Sequence, residues 1–318
     1  MKSDTGYEEN VRRLLWYWAD RHHQGELDGG KREQRPPVLA GKFREKNVLV
    51  PPYNESKARD IRNVIPFDQR HQWFGSLKSS QALTQSVFGA LHAFGRLDLL
   101  QDVRAECGRP AFFNNHLGWT LDFEHEVRCL GEKPRGRTSV DVLLSSSEER
   151  IAIECKFTED KFGCCSRPGL STDNTDYCNG KYQVQRQRHS RCTLTEIGIR
   201  YWEHLPHLFD WPADRDHVPC PFKDVYQLAR NALVAALTPD GKPNRTVGHA
   251  LVVYDARNPE FQSGGEAERQ WNQAVATCRM PGLLRRISWQ RLMTTSACVP
   301  ELKYLVDGVR EKYGIEPD

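Results

Sequence analysis

Two acids and a lysine sit where apolar strands are expected. Asp141 lies in the run Val140-Asp141-Val142-Leu143-Leu144. Glu154 and Lys156 lie in Ile151-Ala152-Ile153-Glu154-Cys155-Lys156-Phe157. A period of two puts Ile151, Ile153, Cys155 and Phe157 on one face, and Glu154 with Lys156 on the other. Asp141 opposes Val140, Val142 and Leu144 in the same way. Charged groups on such strands are costly to bury unless they are paired or bound to a metal. Hydrolysis of a phosphodiester is chemistry that uses this grouping, because water must attack a phosphorus that is already anionic. A Mg²⁺ (or Mn²⁺) held by two carboxylates neutralises the developing charge and lowers the pKa of its bound water. A lysine pointing the same way as the glutamate can orient that water or stabilise the phosphorane charge. The spacing alone also suits a cross-strand salt bridge on a solvated face.

The elements that must position these groups are legible. Residues 120–130 alternate, with Leu121, Phe123, His125 and Val127 opposing Asp122, Glu124, Glu126 and Arg128. Residues 138–145 and 150–157 alternate again, so three consecutive antiparallel strands are expected. A helix is expected over 80–100, with Ala82, Leu83, Val87, Phe88, Leu91 and Phe94 on its apolar face and Ser79 or Ser80 as its N-cap. A second helix is expected over 222–237 and a short buried strand over 248–254. Further helical patterns lie at 10–19, 266–278 and 299–313. Pro51-Pro52 and Pro66 break the sequence between the first helix and residue 77.

Thr138-Ser139-Val140-Asp141, a short turn, and Ile153-Glu154-Cys155-Lys156 resemble the PD-(D/E)xK, or restriction-endonuclease-like, nuclease superfamily. The context resembles a bacterial group of mostly uncharacterised members. It includes Ser79-Ser80-Gln81-Ala82, Phe123-Glu124-His125-Glu126, Arg135-Gly136-Arg137, Phe162-Gly163, Tyr201-Trp202 and Tyr226-Gln227-Leu228-Ala229-Arg230-Asn231. The resemblance implies an α/β fold whose core is a helix, a three-strand meander, a helix and a strand. Residues 78–260 would form that core, with a Cys-bearing insertion at 158–221. Residues 1–77 would be an N-terminal extension and 261–318 a C-terminal helical segment. The resemblance makes Asp141 and Glu154 metal ligands, adds the Cys155 backbone carbonyl, and makes Lys156 the catalytic lysine. Val140 departs from the proline of the superfamily motif. A further acid is expected from the first strand, where Glu126 is preferred over Glu124. Gln227 is expected in the site from the helix after the third strand. Gln81 and Gln85 of the first helix are weaker candidates of the same kind, with a structural role favoured for both.

Five cysteines fall in the insertion, and Cys165, Cys178, Cys192 and Cys220 could hold Zn²⁺ or an iron–sulfur cluster. No C-x₂-C pair supports this, and free thiols are the ordinary alternative. Lys133, Arg135 and Arg137 precede the Asp141 strand. Lys181, Arg186, Arg188 and Arg191 form an acid-free run in the insertion. Both clusters could neutralise phosphates, or could be solvated surface.

The chain has 318 residues, long enough for a substantial core, and 27% charged residues with 10% aromatic ones, which excludes a disordered polymer. Lys and Arg number 45 against 42 Asp and Glu, so binding by bulk charge alone is excluded, while a local basic groove is not. No apolar stretch approaches the roughly 18 residues of a membrane span, and no export signal follows the polar N-terminus. A cytoplasmic location is therefore expected, with thiols rather than disulfides. The expectation is a Mg²⁺-dependent deoxyribonuclease, as an endonuclease, with DNA as partner and a symmetric homodimer as its possible assembly. Two other classes remain open at this point. One is a non-catalytic nucleic-acid-binding module on the same fold, and the other a metal or redox sensor using the insertion cysteines.

Overall fold

The computed structural model describes residues 6–29, 34–113, 118–132, 139–147, 149–185, 187–238, 240–242 and 248–318. Among them, helices α1 (Gly6–His22), α2 (Glu55–Asn63) and α3 (Ser80–Ala93) come first. Strands β1 (Thr120–Glu126), β2 (Ser139–Ser145) and β3 (Arg150–Cys155) follow, then helices α4 (Thr193–Glu196), α5 (Tyr201–Leu208) and α6 (Tyr226–Ala236). The chain continues through β4 (His249–Tyr254), α7 (Glu266–Thr277), β5 (Leu284–Ser288), α8 (Trp289–Ala297) and α9 (Lys303–Tyr313).

The fold is α/β. Five strands form one sheet in the order β1-β2-β3-β4-β5. The β1-β2 and β2-β3 pairs are antiparallel, and the β3-β4 and β4-β5 pairs are parallel. The change of sense at β3-β4 requires a crossover, and α6 lies within it, packed on β3 and β4. Every residue of β3 and of β4 is buried, as expected of strands covered on both faces.

Two apolar clusters lie on the two faces of the sheet. One joins Ile151, Ile153 and Cys155 of β3 to α1, α3, α8 and α9, through side chains such as Leu15, Phe88, Trp289 and Val309. The other joins Ala152 of β3 and Val252 of β4 to α5, α6 and α7, through Leu205, Leu228, Leu233 and Ala267. Residues near both ends of the chain thus share one core with the sheet.

The local boundaries have physical causes. Ser79 caps α3, its side chain accepting from Ala82 N. The helix expected over 80–100 stops at Ala93, because Gly95 turns left-handed at φ 66° and the chain goes on as a 3₁₀ segment, Leu97–Asp102. Helix α2 was not expected. It starts at the Asn54 cap just beyond Pro51-Pro52 and buries only Ala58 and Ile61, too few apolar positions to show a period. Gln85 of α3 donates to Ile61 O and Arg62 O at the end of α2. Strand β5 also went unseen, since Arg285 and Arg286 occupy its centre. Arg286 is stabilised there by Glu106 and Glu268.

Candidate active site

Glu154 is the centre of the site. It projects from β3 toward α6 and is 3% exposed. Lys156 Nζ stands 3.0 Å from Glu154 Oε1. Gln227 Nε2 donates to the same oxygen at 2.7 Å, and Asn231 Nδ2 donates to Oε2 at 3.0 Å. Residues 227 and 231 are one helical turn apart on α6, so one helix face supplies both amides. Gln227 is itself fixed, since its Oε1 accepts from Gly163 N at 2.8 Å. A Cβ at Gly163 would press on Gln227 Oε1 at 3.3 Å, which accounts for the small residue there. Arg230, almost wholly buried, donates to Ser139 O at 2.6 Å and to Asn231 Oδ1 at 2.9 Å.

Asp141 meets Glu154 from β2. Its Oδ2 accepts from Cys155 N at 2.7 Å, a bond that stands where a ladder bond between the strands would otherwise be. The N–H and C=O of a strand residue point to the same edge. The Cys155 carbonyl therefore turns toward β2 and Asp141, while its side chain joins the opposite apolar cluster. Burial raises the Asp141 pKa well above the ordinary carboxylate value, and the charges of Glu154 and Glu124 add to this. Burial alone would lower the pKa of Lys156. The charges of Glu154, Glu159 and Asp141 outweigh it, so the ammonium is held.

The acid that β1 contributes is Glu124. The β1-β2 register runs to Phe123↔Val142 and resumes at His125↔Val140, which places Glu124 opposite Asp141. Glu124 has a φ of 47°, a left-handed conformation uncommon for a residue with a side chain. Its Oε1 accepts from Gln81 Nε2 at 2.5 Å and its Oε2 from Ser139 Oγ at 2.6 Å. Burial raises its pKa, against the lowering effect of those two donors. Glu126, preferred from the sequence, lies outside this cleft. It lines an adjoining groove with Asp122, Arg128 and Arg150, which meets the cleft at Gln69 and Glu124. Alternation could not separate the two glutamates, because both share one parity. The register opposite Asp141 is the signal that does.

These groups share one cleft of about 1510 Å³, lined by Glu124, Asp141, Glu154, Cys155, Lys156 and Gln227. Arg12, Arg35 and Lys78 also line it, as does Trp73, which is 61% exposed. None of those four was singled out from the sequence. Of the basic residues that were, Lys133, Arg135, Arg137 and Arg186 lie outside the described residues. Lys181, Arg188 and Arg191 are not in the cleft. Arg188 donates to Tyr177 O at 3.1 Å, and Arg191 pairs with Asp216, so both hold the insertion together.

The family described as restriction endonuclease associating with ARP matches residues 12–314. The chain belongs to that family. Comparison with curated proteins and with solved structures gives no significant match. Among the described residues, no helix of this family member is long and apolar enough to cross a membrane. Nor, among them, does any group of three or more His, Cys, Asp or Glu side chains stand at metal-coordinating spacing. The donor chemistry nevertheless fits a hard divalent cation. Asp141 and Glu154 offer carboxylate oxygens, Cys155 a carbonyl on the same edge, and Glu124 a third carboxylate nearby. Burial first, and then the charges of Glu154 and Glu124, raise the Asp141 pKa, and a bound cation would offset that repulsion.

Proposed function

We propose that this protein is a Mg²⁺- or Mn²⁺-dependent nuclease that hydrolyses DNA phosphodiester bonds in the cleft at the β2-β3 edge. The observation that carries the reading is the convergence of Asp141, Glu154 and Lys156, with Glu154 held by two α6 amides. The order helix, antiparallel meander, helix, strand supports a restriction-endonuclease-like core. Membership of a restriction-endonuclease family supports the reaction class.

Asp141 and Glu154 would hold the cation, with the Cys155 carbonyl as a further ligand. The cation supplies Lewis acidity toward the scissile phosphate. The chain's own residues do the rest. Lys156 stays protonated beside Glu154, so it can hold a water or a phosphoryl oxygen at the reacting face. Gln227 and Asn231 keep both Glu154 oxygens in fixed directions, so little reorganisation is needed when charge develops. Glu124 can accept from a water on the β1 side, because Gln81 and Ser139 fix its orientation. Arg12, Arg35 and Lys78 line the cleft mouth, where they can meet backbone phosphates. Trp73 offers an exposed ring for an unpaired base.

The test is relaxation of a supercoiled plasmid with Mg²⁺ or Mn²⁺, which reports endonucleolytic cuts. Wild type should cleave. Asp141→Ala and Lys156→Ala should each fall by at least about 100-fold, the usual scale for loss of a positioned electrostatic group. Equal activity in all three proteins would overturn the assignment. DNA binding without cleavage under either cation would favour the non-catalytic module.

A further inference from the structure

A second site lies away from the cleft. Cys165, Cys178, Cys192 and Cys220 come from four separate segments of the chain between β3 and α6. All four line one cavity of about 20 Å³, together with Gly180, Tyr182, Leu194 and Phe222. All are free thiols.

We propose that these four cysteines form a tetrathiolate zinc site that pins the segment between β3 and α6. The backbone around the sulfurs is arranged for thiolates. Backbone N–H groups lie near three of the sulfurs, that of Arg167 at Cys165, of Leu194 at Cys192 and of Phe222 at Cys220. Each belongs to the residue two positions on from its cysteine, and a nearby N–H favours a sulfur anion. The Cys178 sulfur lies 3.8 Å from Gln185 Nε2. The loops are knitted at the same point, with Cys165 N bonded to Lys223 O at 2.8 Å and Cys220 N to Gly180 O at 2.9 Å.

Charge and size agree with a single ion. Four thiolates around Zn²⁺ leave two negative charges, and Lys181, Arg191 and Lys223 line the same cavity. A cavity of about 20 Å³ suits one ion. An iron–sulfur cluster also needs room for inorganic sulfide. The sulfurs are not at coordinating spacing in this structure, so bonds of about 2.3 Å require them to draw inward. Cys165, Cys178 and Cys220 sit on loops and Cys192 on the residue preceding α4, rather than on packed strands. Binding would replace the four S–H protons with one Zn²⁺ and change no oxidation state.

The test is elemental analysis of the purified full-length protein, with the Co²⁺-substituted protein examined by visible absorption. About one zinc per chain is expected, with Co²⁺ giving the intense absorption of a tetrahedral thiolate complex. Cys178→Ser combined with Cys220→Ser should lose most of the zinc, while Cys129→Ser, outside the cavity, should keep it. If the double variant fails to fold, the wild-type Co²⁺ spectrum decides alone. A folded, zinc-free wild type whose four thiols all react with a thiol reagent would overturn the proposal. So would iron with acid-labile sulfide in place of zinc, or zinc retained in the folded double variant. None of these readouts depends on cleavage of DNA, so the proposal and the nuclease reading can fail separately.

Discussion

Asn231 donates its side-chain amide to Glu154 Oε2 at 3.0 Å, and both side chains are buried. Together with Gln227 on Oε1, it leaves neither carboxylate oxygen free to turn. A hydrogen bond to a buried charge is worth roughly 1.5–3 kcal/mol. Asn231→Ala should therefore lower plasmid cleavage by about 10–100-fold, the range for groups that orient a metal ligand. Gln227→Ala should behave similarly. The check is single-turnover cleavage at saturating DNA alongside a thermal melt. Undiminished cleavage by both variants would remove α6 from the site.

Glu124 and Glu126 differ by two residues and should differ sharply in effect. Glu124 faces Asp141 in the cleft, whereas Glu126 lines the adjoining groove and not the cleft. Glu124→Gln should reduce cleavage by about 10-fold or more, since it removes one of the charges that shape the site. Glu126→Gln should stay within about 2-fold, as expected of a group outside it. The two rates measured side by side decide the matter, and the reverse order would restore Glu126.

Much of this arrangement is readable in the sequence. The alternation of the three meander strands gave their faces, so Asp141, Glu154 and Lys156 could be grouped from period alone. Gln227 came with the resemblance, as the glutamine expected on the helix after β3. Glu124 did not, because its left-handed φ and its position opposite Asp141 are properties of register, which strand alternation leaves open. Arg12, Arg35 and Trp73 reach the cleft from segments distant in sequence, and no local pattern marks a residue for such a contact. Strand β5 stayed hidden because Arg286 is stabilised by Glu106 and Glu268 and Arg285 by Pro110 O, partners that only the tertiary structure supplies.

Cation binding should be visible without DNA. Asp141, Glu154 and Glu124 repel one another across a buried cleft, with Lys156 as the opposing charge. A cation that binds only the folded state stabilises it by mass action, by about 2.7 kcal/mol at a hundredfold excess over Kd. Wild type should melt several degrees higher in Mg²⁺ or Mn²⁺ than in EDTA. Asp141→Asn should keep an acceptor for Cys155 N–H yet lose most of that increment. Differential scanning fluorimetry reads both, and an equal increment in the variant would place the cation elsewhere.

Acid sensitivity should trace in part to His249. The ring opens β4, is 3% exposed, and donates from Nε2 to Ala111 O at 2.7 Å. Burial, helped by the Arg285 charge, lowers its pKa from 6.5 to about 3. As pH falls, the unfolded chain takes up this proton before the folded one does. The ring's contribution to stability is therefore complete above pH 6.5 and is lost progressively down to about pH 3. The full loss is on the order of a few kcal/mol. His249→Gln can still donate to Ala111 O but cannot titrate. Urea unfolding at a series of pH values should show a shallower decline for the variant across that window. Parallel declines in the two proteins would mean that the folded ring takes up its proton as readily as the unfolded one.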